Sequence, residues 1–203
     1  MSAPLREAPG FAPSDPTDDR DQLDWKSKYT DPDARAAIRL EAWYLGLVLA
    51  ATPIALLLFW LEVPRAWLGL DEARYATVLK YSEAWLGGTL GGTLYALKWL
   101  YHSVARKFWH LDRRLWRIFT PHISGGLAFA LTALTSSGLV RVLDSTVTNN
   151  GAVVVGLAFL VGYFSDTALA KLAEVAQTLF GASLHPVKES ALRASKTGSG
   201  SKE

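Results

Sequence analysis

The run HLDRRLWR, His110 to Arg117, gathers a histidine, an aspartate and three arginines within eight residues. An enzyme acting on phospholipid head groups would want such groups, with His110, Asp112 and Arg113 as its working set. Their spacing matches no recognised acyltransferase, phosphatidyltransferase or phosphatase pattern. The simpler reading is a cytoplasmic segment whose bases hold anionic lipid head groups while Trp109 and Trp116 lie in the interface. Arg106, Lys107, Arg113, Arg114 and Arg117 are assigned that contact. No catalytic residue is expected.

Two further acids invite a functional reading. Asp166 stands near the end of an apolar block, where an ionisable group can mark an ion path or a switch. Asp166 with Ser165 also reads as a helix cap, the plainer assignment. Asp144, with Asn149 and Asn150, could ring the mouth of an oligomeric pore, and a polar loop explains the three equally well. With no Cys and four scattered His (His102, His110, His122, His185), no thiolate or histidine-rich metal centre is expected, nor any cofactor or nucleic-acid partner.

The stretch LGGTLGGTL, Leu86 to Leu94, is the most repetitive of the 203-residue chain. A phosphate loop would need a preceding strand and a Lys-Ser/Thr pair, and neither is present. TLGGT shares letters with a potassium-channel filter but not its Thr-Val-Gly-Tyr-Gly order. Helix packing accounts for the spacing. Gly87 and Gly91 are four apart, as are Gly88 and Gly92, so neighbouring backbones can approach where side chains are missing. Gly125, Ala128, Thr132, Thr135 and Ser136 form the expected counterpart, within one chain or between two.

These residues need an apolar framework, and the chain supplies four blocks of it. Ala42 to Leu61 runs 20 residues without a charge, enough to cross about 30 Å of hydrocarbon. Trp43, Tyr44 and Trp60 mark its edges as interfacial belts, and Pro53 sits inside it. After a short connection, Glu62 to Leu70, Asp71 reads as the cap of a long helix to about Val104. The uncharged part of that helix, Ala84 to Leu97, is 14 residues long, with Lys98 able to snorkel beside Trp99 and Tyr101 and Glu83 as an interfacial charge. Ile123 to Val140 is the third block. Ala152 to Phe164, 13 residues, is the fourth and must borrow length to span, either from Ser165–Ala170, as Ala152 to Ala170, or from the loop before it. A helix from Ser165 to Gly181 follows, apolar at Leu169, Leu172, Val175, Ala176, Leu179 and Phe180.

The expected fold is therefore all-α, an integral membrane four-helix bundle with a cytoplasmic C-terminal amphipathic helix. Residues 1–33, rich in Pro and Asp, read as a disordered arm, 34–182 as the four-span domain and 183–203 as a disordered tail. No secretory signal is visible, so the first span would serve as an uncleaved signal. The loop between the second and third spans carries five Lys/Arg, which places it and both termini in the cytoplasm.

The segment FLVGYFSDTALAKLAEVAQTLFG, Phe159 to Gly181, resembles one that follows the last span in uncharacterised bacterial multi-span proteins. There a Gly-Phe/Tyr-x-Ser-Asp/Glu turn precedes an apolar-patterned helix. The resemblance implies a bacterial inner membrane and a tethered interaction role, and carries over no functional residue. The leading expectation is a small non-enzymatic membrane subunit that self-associates or binds a membrane protein partner, with Leu169, Leu172, Leu179 and Phe180 as the partner helix. A homo-oligomeric ion-conducting pore is the alternative.

Overall fold

The structure is a computed structural model that describes residues 29–139 and 150–181. Asp144, most of the two terminal segments and the loop beyond Leu139 lie outside those residues, as do the side chains of Leu179 and Phe180. Among the described residues there are six helices and no strand. By contacts the chain divides into two units, 1–164 and 165–203.

Helix α1, Pro32–Trp60, starts where Asp31 accepts a hydrogen bond from the Asp33 amide and Pro32 supplies a preset first turn. It runs through Pro53 without ending. The connection expected after it contains a further short helix, α2, Val63–Leu68, closed by Gly69 at φ 60°, a conformation that favours glycine. Asp71 caps α3, Glu72–Ala105, by accepting from the Arg74 amide. Helix α4, Arg113–Ser136, begins ten residues before the third apolar block, so Arg113, Arg114 and Arg117 lie in its first turns. Helix α5, Gly151–Tyr163, is capped by Asn150, whose side chain accepts from the Ala152 amide.

Helix α3 packs against α1, α4 and α5, and α4 also touches α5. Its buried stripe is made of small and polar residues, including Gly87, Gly88, Thr89, Gly91, Gly92 and Thr93. Apolar side chains lie on the outside instead. Trp43 is 78 % exposed and Leu47 65 %, and Ile54, Leu57 and Leu58 on the same helix are exposed as well. Within the most apolar 18-residue stretch of α1, 17 % of residues are buried. A water-soluble domain buries such residues.

Two helices, α1 and α4, are long and apolar enough to cross a membrane, and a third span results if Gly151–Tyr163 and the segment that follows are taken as one interrupted span. Helix α3 is long enough, but its glycines, threonines and Lys98 lower its mean hydropathy. The continuous fourth span expected over Ala152 to Ala170 is corrected: α5 ends at Tyr163, Phe164 leaves helical geometry, and α6, Ser165–Phe180, begins afresh. At about 1.5 Å per residue, 13 residues rise about 20 Å, short of the hydrocarbon core. Taken by itself, α6 carries an ion pair between Lys171 and Glu174 (2.9 Å) and exposes Leu169.

Candidate functional site: buried charges and a glycine seam

The charged residues that the fold buries stand at the ends of the apolar blocks. Glu41, one residue before the first uncharged block, is fully enclosed, and Arg117 of α4 is 2 % exposed. Arg117 Nε donates to Glu41 Oε1 and its Nη2 donates to Oε2 at 3.1 Å. That two-point contact matches the planar guanidinium to the carboxylate. The indole Nε1 of Trp109 donates to Glu41 Oε2 at 3.0 Å, and the Arg117 guanidinium lies 6.0 Å from the Trp109 ring centroid. Both carboxylate oxygens are thus occupied, and the cluster ties α1 to α4 through the loop between α3 and α4. Tyr29 braces that loop: its hydroxyl accepts from the Trp109 amide (3.2 Å) and its ring meets the indole edge-on.

The head-group assignment of Arg117 is therefore corrected. An arginine enclosed by Glu41 and Trp109 reaches no lipid. Arg106, Lys107 and Arg113 are exposed, while Arg114 is half-buried with an Nε that has no hydrogen-bond partner among the described residues. His110 and Asp112 are exposed beside Arg113 on the surface of the turn preceding α4.

A second buried acid, Glu83, is 3 % exposed and accepts from Trp60 Nε1 at 2.7 Å. Its carboxylate lies against Gly151, the first residue of α5: a Cβ there would fall 2.9 Å from Glu83 Cδ. A negative side chain at a helix N-terminus is favoured by the exposed amides and the helix dipole. Glu83 thus links the end of α1, the body of α3 and the start of α5, rather than standing free at an interface.

Between the two acids, α3 presents glycine on two sides. Gly88 and Gly92 face α4. A Cβ at Gly88 would lie 2.6 Å from both Ala128 Cβ and the Ser124 carbonyl oxygen, and one at Gly92 would meet the Ser124 side chain. Gly87 and Gly91 face α5, where added Cβ atoms would come within 2.7 Å of the Val155 carbonyl oxygen and the Tyr163 amide nitrogen respectively. The approach is reciprocal. Gly125 of α4 abuts the Trp85 carbonyl and the Thr89 hydroxyl, and Gly162 of α5 lies on the backbone of Gly88. Ser124 Oγ donates to the Gly162 carbonyl at 3.1 Å, closing the seam between α4 and α5. Thr89, Thr93, Thr120, Thr132 and Thr135 donate instead to carbonyls one turn earlier in their own helices.

The expected counterpart on α4 thus contributes Gly125 and Ala128. The surface that α5 offers, Val155, Ala158, Phe159 and Gly162, was not anticipated, although Ala158 and Gly162 stand four apart in the sequence. Asp166 lies in the first turn of α6, where its charge complements the helix dipole. No family model, curated protein or solved structure matches the chain.

Proposed function

We propose that the chain is a four-span, non-enzymatic integral membrane subunit of a bacterial inner membrane, with both termini cytoplasmic, acting by binding a partner or a second copy in the bilayer. The carrying observation is the inversion of polarity: apolar side chains of α1 stand outside while Glu41, Thr52, Glu83, Arg117 and Ser124 are enclosed. Lipid is the environment in which that arrangement is stable, because it solvates the outer face and leaves polar groups to find one another within.

On this reading α3 is the fourth span despite its low hydropathy. Packed against α1, α4 and α5, it buries Gly87, Gly88, Thr89, Gly91, Gly92 and Thr93 and turns Trp85, Leu94 and Trp99 outward, so its small and polar residues are kept from lipid. The glycines of α3 are engaged within the chain, so association falls to surfaces that remain open: the lipid-facing side of α1 and the apolar stripe of α6. A partner-binding role is favoured over a pore because Ser124, Gly125 and Ala128 of α4 are buried against α3 rather than lining an open path.

Light scattering of the detergent-solubilised chain tests this. A complex of defined mass is expected for the native sequence, falling to the mass of one chain with Leu169→Glu and Leu172→Glu together. A native chain that is monomeric and brings down no membrane protein overturns the reading. A ring-sized oligomer that passes ions in liposomes would replace it with the pore.

A further inference from the structure

The last turns of α3 and the end of α5 enclose a cavity of 410 Å³ lined by Tyr95, Lys98, Trp99, His102, Arg106, Tyr163 and Phe164. That size falls within the range of small-ligand sites. Its lining holds Lys98, His102 and Arg106 and no acid. The three follow one another at four-residue intervals, which sets them in a column on one helix face. Around them stand the four aromatic side chains Tyr95, Trp99, Tyr163 and Phe164. Lys98 Nζ lies 3.4 Å from the Tyr163 hydroxyl and 5.9 Å from its ring centroid, which orients the ammonium along the cavity wall. Tyr95 meets both Trp99 and Tyr163 edge-on, so the walls brace one another.

Bases near a helix C-terminus have an ordinary use, since they complement the negative end of the dipole. That accounts for Arg106 and His102 near the end of α3. It does not account for Lys98, nearly two turns earlier, nor for a concave aromatic wall facing all three. Trp99 and Tyr101 place this level at the membrane interface on the four-span reading, where lipid phosphates reside.

We propose that this cavity binds a phosphate oxyanion, held by Lys98, His102 and Arg106, with the aromatic wall packing on whatever carries it. The carrier is an anionic phospholipid head group or, with the same chemistry, free phosphate. The site is distinct from the Glu41–Arg117 cluster, whose arginine is committed to its carboxylate. Its lipid arm rests on the membrane reading above.

Retention of phosphatidylglycerol by the full-length detergent-solubilised chain, followed by native mass spectrometry against phosphatidylcholine, tests the proposal. Saturable, phosphatidylglycerol-selective binding is expected, weakened about five-fold for each base removed and about 30-fold in Lys98→Gln with Arg106→Gln. Arg39→Gln, an equal change of charge at an exposed residue outside the lining, should stay within about two-fold. Arg106→Gln alone, at an exposed helix end, guards against a folding defect in the double variant, and circular dichroism checks each. Titration with inorganic phosphate separates the sources: displacement of the lipid shows that the oxyanion suffices, and its failure shows that the glycerol and chains are read as well. Absence of saturable binding by either ligand, or equal loss in Arg39→Gln, overturns the site. A chain that alkaline carbonate strips from membranes yet binds phosphate would sink the membrane reading and leave the site standing.

Discussion

Glu41 and Arg117 are costly to separate and cheap to replace together. A buried charge left without its partner costs about 3–5 kcal/mol, whereas exchange of a whole pair for apolar residues of similar size is often neutral or stabilising. Arg117→Leu should therefore destabilise the chain by about 3–5 kcal/mol in detergent. Adding Glu41→Leu to it should recover most of the loss. Reversible denaturation followed by circular dichroism reads both, and a double variant as unstable as the single one would mean that the cluster does more than hold α1 to α4. Trp109→Phe removes one donor to the same carboxylate and should cost about 1–3 kcal/mol.

Helix α3 carries glycine on two faces because it has two close neighbours, and the consequences differ from one glycine to the next. Gly91→Ala would drive a methyl group into the Phe159 carbonyl and the Tyr163 backbone, and overpacking of this kind costs about 1–3 kcal/mol. Gly156→Ala, with nothing within 4 Å of the added carbon, should be neutral or stabilise by about 0.5–1 kcal/mol. Parallel thermal melts of the two variants check the contrast, and equal melting temperatures would contradict the seam described above. Much of this element was legible in the sequence. The apolar blocks and the cap Asp71 lie close to where local signals put the helix ends, and the repeated four-residue spacing marks a packing surface. The direction of each glycine was not legible, because neighbours on both sides satisfy the same spacing. The buried charges were misread for a related reason. Glu83 shares the four-residue register of Gly87 and Gly91, and Arg117 lies on one helix face with Pro121, Ser124 and Ala128, at steps of four, three and four. Residue type suggested an exposed group, while register pointed inward, and burial followed register. The break after Tyr163 had a weak signal as well, since 13 apolar residues are too few for a span.

The molecule is organised around a helix that hydropathy alone would not select. Helices α1 and α4 carry much of the apolar surface, and α3, the more polar one, holds them and α5 together through close backbone approach and the enclosed Glu83, while Glu41 of α1 pairs with Arg117 of α4. Its 34 residues rise about 51 Å, more than the whole thickness of a bilayer with its head groups. If α3 crosses the membrane, its two ends must face opposite compartments. The chain contains no Cys, so a single introduced thiol reports without background. Glu72→Cys, at the first residue of α3, and His110→Cys, just beyond its end, are both exposed positions. Labelled in sealed, oriented vesicles with a membrane-impermeant maleimide, one of the two should react from outside and the other after the membrane is opened. Reaction of both from the same side would contradict the crossing of α3, and with it the four-span architecture.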